Sequence, residues 1–183
     1  MSEARVLGIV GWSGSGKTAL IVKLIPLLTR RGIQVATLKH AHHAFDVDHP
    51  GKDSFMHRQA GACEVIVSSE HRWVLMHELR GAPEVTLPEL LRRVSPCDLI
   101  LVEGFKTHRH PKLEVFRAAL GKPPLYPDDP NIVALASDGK LPGARVPVLD
   151  LNDTEAIATE ILNLARPLSQ VLSSLATHAD GSS

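Results

Sequence analysis

Hydrophobic and polar residues follow two alternating patterns along the chain. Short apolar runs, typical of buried strands, are separated by longer segments with the three- and four-residue spacing of helices. Strands are predicted at 5–10, 33–39, 99–102, 131–136 and 146–150, and helices at 17–31, 54–61, 86–94 and 153–165, the last resuming after Pro167 to about residue 176. Strands that alternate with helices predict an α/β fold, here a three-layer α/β/α sandwich with a mainly parallel sheet.

Two further segments have the pattern of short or half-buried strands. Residues 63–67 and 72–76 are separated by four polar residues, which predicts a β-hairpin or a pair of adjacent strands as an extension of the fold. Residues 112–117 alternate between polar and apolar side chains, as in a strand that is buried on one face. Either segment could supply a free edge for pairing with a second chain.

Polar residues near the predicted helix starts indicate N-caps. Asn152 is the expected cap of the helix over 153–165, and Asp53 or Ser54 that of the short helix over 54–61. These caps would place the start of each helix directly after a polar loop.

Length and composition restrict the class of protein. The chain has 183 residues, which predicts a single domain over 1–176 and a disordered tail over 177–183. Its 20 basic and 20 acidic residues balance, so no nucleic-acid partner is expected. No apolar segment reaches the roughly 18 residues needed to cross a bilayer and the first residues do not form a signal peptide, so we expect a cytoplasmic protein without a membrane partner. Cys63 and Cys97 each open an apolar run and are expected to be buried thiols.

The first strand and the first helix are joined by Gly11–Thr18, which fits the pattern G-x-x-x-x-G-K-[ST]. Between a strand and a helix, the backbone N–H groups of such a loop form a nest for phosphate, which predicts a fold of the P-loop NTPase type. Lys17 would place its ammonium against the β- and γ-phosphates, and Thr18 would offer its hydroxyl to Mg²⁺. The residues expected to bind the nucleotide here are Gly11, Trp12, Ser13, Gly14, Ser15, Gly16, Lys17, Thr18 and Ala19.

Imidazole and charged side chains crowd the segment after the second strand. The candidates are Lys39, His40, His42, His43, Asp46, Asp48, Lys52 and Asp53. Open α/β sheets bind ligands at the carboxyl ends of their strands, which favours a switch loop that contacts nucleotide or substrate. A solvated polar loop and a transition-metal site are the alternatives, and no later His or Cys cluster completes a metal-ligand set.

Glu103 ends the apolar run 99–102 beside the expected P-loop. An acidic residue there can orient water or complete the shell of Mg²⁺, although aspartate is the usual residue at this point, and a structural hydrogen-bonding role is the alternative. The catalytic candidates are therefore Lys17 and Glu103, and the metal candidates are Thr18 and Glu103.

Two later loops add candidates at the same edge of the sheet. Lys106 belongs to a basic loop over 105–112 that could clamp phosphates or an anionic substrate, or simply face solvent. Asp138 follows the strand over 131–136, where P-loop GTPases use a carboxylate to bind the N1 and N2 protons of guanine. The alternative for Asp138 is an ordinary Asp-Gly turn.

Together these segments resemble the molybdopterin-guanine dinucleotide biosynthesis protein B (MobB) family over nearly the whole chain. The resemblance is carried by Gly11–Thr18, Lys39-His40-x-His42-His43, Phe45–Asp48, Pro50–Ser54, Arg58-x-Ala60-Gly61-Ala62, Asp98–Lys106, Lys112-x-Glu114-Val115 and Ala136–Asp138. A P-loop alone would be generic, whereas its combination with the His-rich loop and Val-Glu-Gly-Phe-Lys is specific.

The resemblance implies a GTP-binding protein, usually a homodimer, with weak GTPase activity. Such proteins assist the guanylyltransferase that joins GMP to molybdopterin, by supplying GTP or by holding the molybdopterin-type cofactor. The residues by themselves predict only the binding of a nucleotide and Mg²⁺ beside a second polar surface.

Two other functions fit the same residues. A small-molecule kinase would grip its acceptor with the His-rich loop, Lys106 and Arg109, although such enzymes usually carry an arginine-rich lid and 108–110 is a thin candidate. A metallochaperone-type GTPase would deliver a metal through His40, His42, His43 and His49.

Overall fold

The computed structural model describes residues 3–41 and 45–177, and the chain forms two compact units. The first unit comprises the segments up to His40 and from Leu87 onward, and the second comprises Ala41–Thr86. The single domain over 1–176 stays a prediction. The predicted disorder of the tail falls on residues 178–183, outside the described residues, apart from Thr177, which forms a turn.

The strands in chain order are β1 (Arg5–Val10), β2 (Val35–Lys39), β3 (Glu64–Ser68), β4 (Trp73–His77), β5 (Leu99–Glu103), β6 (Lys112–Phe116), β7 (Ile132–Ser137), β8 (Val148–Asp150) and β9 (Arg166–Pro167). The helices are α1 (Lys17–Arg30), α2 (Asp53–Gln59), α3 (Leu87–Arg93), α4 (Thr154–Leu164) and α5 (Leu168–Ala176). The predicted strands and helices agree with these bounds to within two residues at each end, and β9 is the strand that the pattern does not predict.

A seven-stranded sheet forms the centre of the first unit. Six strands are parallel in the order β2-β5-β1-β6-β7-β8, and the short β9 pairs antiparallel with β1. Alternate side chains of β1 pack on opposite faces of the sheet. Leu7 and Ile9 pack with α1 and α4, whereas Val6 packs with α3 and α5. The predicted α/β/α sandwich is confirmed, and the parallel strands bring several carboxyl ends to one edge.

The prediction that 112–117 is a half-buried strand with a free edge is wrong. β6 lies between β1 and β7, and all five of its residues are buried. The polar side chains inside are paired: Lys112 Nζ lies 2.6 Å from Asp129 Oδ2, and the carboxylate of Glu114 accepts the backbone N–H groups of Leu125 and Tyr126 at 2.8 and 2.9 Å. Polar residues alternate here because a loop covers them, not because they face water.

Two predicted N-caps are also wrong. Asp153, not Asn152, caps α4, since its Oδ1 accepts the N–H of Ala156 at 2.9 Å. Asn152 instead bonds to Asp150 Oδ1, so it belongs to the preceding turn. Helix α2 already begins at Asp53, and its N-cap residue makes no side-chain cap bond.

The second unit contains α2 and an antiparallel hairpin of β3 and β4, as predicted. One face of the hairpin carries the buried pair Val65 and Met76. The other face exposes Ile66, Trp73 and Leu75, which are 66%, 66% and 43% exposed. Cys63, at the base of the hairpin, is exposed and Cys97 is half-buried, so the expectation of two buried thiols is wrong, although both are free.

Among the described residues, no helix combines the length and the apolar character needed to span a membrane.

Candidate nucleotide-binding site

The segment Gly11–Thr18 forms a tight loop between β1 and α1. Gly11 adopts φ +142°, and a Cβ on it would lie 2.4 Å from the carbonyl oxygen of Val115 and 2.7 Å from Ser15 Oγ. Only glycine fits at this position, because a methyl group would collide with the neighbouring strand. Gly16 precedes α1 in a left-handed conformation, so the loop turns directly into the first turn of the helix.

Lys17, at the start of α1, bonds back to the first residues of the loop. Its Nζ donates to the carbonyl oxygens of Gly11 and Trp12, both at 3.0 Å. Partial burial lowers the pKa of the Lys17 ammonium; Glu103 opposes this shift, and Lys106 adds to it. The cation is therefore held above the loop where the backbone N–H nest would receive phosphate.

Thr18, Glu103 and Lys39 meet at the carboxyl ends of two neighbouring strands. Lys39 and Glu103 are register partners on β2 and β5, and Glu103 is also opposite Ile9 of β1. Thr18 Oγ1 donates to Glu103 Oε1 at 2.7 Å, and Lys39 Nζ lies 3.2 Å from the same oxygen. A hydroxyl and a carboxylate side by side, both oxygen donors, fit the ligand preference of Mg²⁺.

Asp138 lies on a short turn after β7. The hydroxyl of Ser137 accepts the N–H of Gly139 and donates to its carbonyl, which closes the turn around Asp138. An open cavity of about 620 Å³ borders the carboxylate and is lined by residues 137–142 and by the end of β8. The cavity is large enough for a purine ring with its ribose.

Arg117 is a site residue that the sequence pattern did not single out. It follows β6, and its guanidinium donates from Nε to the carbonyl oxygen of Ser15 at 3.0 Å and from Nη1 to Asp138 Oδ2 at 2.9 Å. The sequence pattern places Arg117 at the end of the predicted half-buried strand over 112–117. Its position at the carboxyl end of that strand, where open α/β sheets bind ligands, is the signal that marks it as a candidate.

Trp12 places two lysines beside the P-loop. Its indole N–H donates to the carbonyl oxygen of Pro123 at 2.7 Å, which fixes the ring. Lys106 Nζ lies 4.9 Å and Lys122 Nζ 5.8 Å from the ring centroid, within the range of cation–π attraction. Lys106 thus lies beside Trp12 of the P-loop.

The basic loop that carries Lys106 is held by the buried side chain of Lys112. Lys112 Nζ donates to the carbonyl oxygens of Lys106 and His108, both at 2.7 Å. The rings of His40 and Phe105 are in contact, with centroids 4.8 Å apart and planes tilted by 38°. His40 therefore packs against the end of β5.

The other candidates after β2 belong to the second unit. Asp46 and Asp48 both face Arg58, with closest N–O distances of 2.8 and 3.4 Å, and Glu78 bonds the same guanidinium at 2.8 Å. The hydrogen bond from Arg58 lowers the pKa of the Asp46 carboxyl. These three carboxylates thus share one guanidinium within their own unit.

The remaining candidates of that segment have simpler positions. Lys52 is the N-cap residue of α2, Asp53 is its first residue, and Ser54 Oγ donates to Asp48 Oδ1 at 3.0 Å. His42 and His43 lie outside the described residues. Over 3–41 and 45–177, no group of three or more His, Cys, Asp or Glu side chains is placed to hold a metal ion.

Comparison with known sequences identifies similar proteins. The profile of the family described as molybdopterin guanine dinucleotide synthesis protein B matches residues 6–138. The molybdopterin-guanine dinucleotide biosynthesis adapter protein of Escherichia coli strain K12 is 46% identical over 156 residues, which is 84% of this chain and 89% of that protein. The protein of the same name from Haemophilus influenzae is 41% identical, over 88% of this chain and 90% of its own.

A solved structure shares the architecture. The crystal structure of a MobB protein homolog from Bacillus stearothermophilus superposes with a TM-score of 0.62 at 28% identity, over 86% of this chain and 95% of that one.

Proposed function

Because the chain belongs to the family of molybdopterin guanine dinucleotide synthesis protein B, we propose that it binds GTP with Mg²⁺ and acts as an adapter in the synthesis of molybdopterin-guanine dinucleotide. The names of the two bacterial relatives, both called adapter proteins, support this role. The partners are then a molybdopterin-type cofactor and the guanylyltransferase that joins GMP to it.

The observation that carries the proposal is the edge where Lys17, Thr18 and Glu103 meet. Lys17 is held over the loop by two carbonyl oxygens, and Thr18 bonds to Glu103 at 2.7 Å. Lys17 would exchange these carbonyls for phosphate oxygens, which are stronger acceptors. Thr18 and Glu103 would hold Mg²⁺, which supplies positive charge to the phosphates.

Asp138 is the proposed selector for guanine. Its carboxylate borders the cavity after β7 and can accept the N1 and N2 protons of guanine. Arg117 bonds both this carboxylate and Ser15 of the P-loop. Adenine presents an acceptor at N1, which would face the carboxylate without a proton between them. A site built to accept these protons therefore rejects ATP.

Hydrolysis is proposed to be slow and secondary to holding the nucleotide. Glu103 would orient a water molecule, while its carboxylate is already shared between Thr18 and Lys39. Lys106 and Lys122, beside Trp12 of the loop, offer further positive charge to an anionic cofactor.

A second copy of this chain is the proposed partner of the hairpin. Ile66, Trp73 and Leu75 expose one apolar face, and isolated two-stranded sheets are marginal in water. Burial of this face against the same face of another copy would form a homodimer.

Calorimetric titration of GTP and ATP, with and without Mg²⁺, tests the proposal. Wild type should prefer GTP, and Lys17→Ala should weaken GTP binding by roughly 10- to 100-fold, because a charge-assisted hydrogen bond to phosphate contributes about 1.5–3 kcal/mol. Lys23→Ala, an exposed lysine on the same helix, is the matched control and should bind as wild type does.

The Mg²⁺ arm separates the metal ligands from the phosphate loop. Glu103→Gln should lose most of the gain in GTP affinity that Mg²⁺ gives, while its binding without Mg²⁺ stays close to wild type. Glu70→Gln, an exposed glutamate of the hairpin turn, is the control. Equal or tighter binding of ATP would contradict the assignment of Asp138 and favour a small-molecule kinase instead.

A further inference from the structure

Arg117 connects two parts of the site that are distant in the sequence. Its Nε donates to the backbone carbonyl of Ser15, in the middle of the P-loop, at 3.0 Å. Its Nη1 donates to Asp138 Oδ2 at 2.9 Å. The guanidinium also lies alongside Gly16, since a Cβ built on that glycine would be 3.6 Å from Arg117 Nε.

Arginine is suited to this position and lysine is not. The guanidinium presents its donors in a fixed planar fork, so two of them reach acceptors in different directions at once, whereas an ammonium on a flexible stem acts as a point charge. The two acceptors belong to different loops, one after β1 and one after β7. Arg117 therefore fixes the distance between the phosphate loop and the Asp138 turn.

Stability alone does not account for this arrangement. The side chains of Arg117 and Asp138 are 39% and 29% exposed, and ion pairs that are open to solvent contribute little to folding. The bond to Ser15, by contrast, is partly buried and sits in the loop that receives the phosphates. The placement of the pair is therefore better explained by what it orients than by what it stabilises.

We propose that Arg117 is a positioning residue for guanine specificity, which aims the Asp138 carboxylate at the base cavity and ties that carboxylate to the phosphate loop. This inference rests on the proposed function, in which Asp138 accepts the guanine protons. Each carboxylate oxygen has two lone pairs, so Oδ2 can keep its bond to Arg117 while both oxygens accept from guanine. Arg117 thus stays in place when GTP binds.

The role predicts a specific pattern of nucleotide affinities. Without the two hydrogen bonds of Arg117, the Asp138 side chain can rotate away from the cavity. GTP binding is then weaker, because the guanine protons need the carboxylate in one orientation. ATP makes no bond to Asp138 and depends on the phosphate loop alone. Arg117→Gln should therefore weaken GTP about tenfold and ATP by less than about threefold.

A double-mutant cycle on the full-length chain tests this role by calorimetry with GTP and ATP. The proteins are wild type, Arg117→Gln, Asp138→Ala and the double variant. If Arg117 acts through Asp138, adding Arg117→Gln to Asp138→Ala should change GTP affinity by less than about twofold. Arg92→Gln, an exposed arginine on α3, is the control and should leave both affinities unchanged.

Two results would overturn the inference while leaving the proposed function intact. One is an equal loss of GTP and ATP affinity in Arg117→Gln, and the other is full additivity in the double variant, since either means that Arg117 only supports the loop. A wild type without preference for GTP would overturn both. Arg117→Lys keeps the charge but cannot span both acceptors. It should show the same loss of GTP preference with an unchanged thermal unfolding midpoint. If Arg117→Gln does not fold, Arg117→Lys is the variant that tests the inference.

Discussion

His110 is a buried imidazole in the segment 105–112, which the sequence predicts to be a basic loop that clamps an anion or faces solvent. It is 2% exposed and packs on Gly8 of β1, where a Cβ would lie 2.5 Å from its Nε2. Burial, together with the charges of Lys112 and His108, lowers the pKa of His110 to about 3. Neither ring nitrogen has a hydrogen-bond partner within the part of the chain that the structure describes.

The lowered pKa of His110 predicts a loss of stability in mild acid. Below about pH 6.5 the unfolded chain takes up a proton at this residue, while the folded chain does not until about pH 3. The free energy of unfolding should therefore fall as the pH decreases through this window, by at most about 1.4 kcal/mol per pH unit from this group.

Urea unfolding between pH 7 and pH 4.5 measures this slope. His110→Gln, which carries no titrating group, should flatten it relative to wild type, whatever its stability at pH 7. His71→Gln, an exposed histidine of the hairpin turn, should retain the wild-type slope. Equal slopes in wild type and His110→Gln would contradict the prediction.

Residues such as His110 and Arg117 mark the limit of what the sequence predicts at this scale. The P-loop residues were predictable because the spacing of glycines, lysine and threonine is itself the signature of the site. A single histidine or arginine carries no such spacing. Their roles depend on close approaches between distant segments: Gly8 with His110, and Ser15 with Arg117.

At the scale of elements, β6 shows why hydrophobic alternation can mislead. Lys112 and Glu114 occupy positions that the period-two pattern assigns to water, yet both are fully buried. Burial lowers the pKa of Lys112, which Asp129 opposes, and burial raises the pKa of Glu114. Their partners come from 121–130, a proline-rich loop with no regular period, so sequence pattern alone could not identify them.

Lys112→Met should strongly destabilise the fold and loosen the loop that carries Lys106. The change removes the donor to Asp129 Oδ2 and to the carbonyl oxygens of Lys106 and His108, whereas Asp129 Oδ1 keeps its bonds from Asn131. Breaking a buried ion pair from one side costs about 3–5 kcal/mol. Urea unfolding gives the loss of stability, and hydrogen exchange should show faster exchange of the amides at 106–110.

The matched control is Lys140→Met, an exposed lysine, which should change the free energy of unfolding by less than about 0.5 kcal/mol. Adding Asp129→Asn to Lys112→Met should recover part of the loss, because it removes the negative charge that has lost its cation while an oxygen remains to accept from Asn131. If Lys112→Met were as stable as wild type, the ion pair would not hold the loop.

At the scale of the whole molecule, the sequence predicts that the candidate residues lie at one edge of the sheet, but it does not predict the hydrogen bonds of Arg117 that connect the loops there. Strands β1, β5 and β7 are parallel, so the residues at or directly after their carboxyl ends, including Gly11, Glu103 and Asp138, come to the same edge of the sheet. That step needs only strand direction and a right-handed crossover. The linking contacts of Arg117 depend on how far each strand extends, which the pattern does not specify.

The hairpin of the second unit predicts the oligomeric state. Trp73 lies opposite Ser68 and is 66% exposed, beside Ile66 and Leu75 on the same face. A tryptophan buried in an interface typically contributes about 2 kcal/mol or more, so Trp73→Glu should raise the dimer dissociation constant by at least roughly thirtyfold.

Sedimentation equilibrium over a range of protein concentrations measures this effect. Wild type should be a dimer and Trp73→Glu a monomer, and both should bind GTP, since the P-loop belongs to the other unit. Val22→Glu makes the same kind of change at an apolar residue of α1 that is 63% exposed, and it should remain dimeric. A monomeric wild type, or a Trp73→Glu variant that still dimerises, would exclude this face as the interface between two copies of the chain.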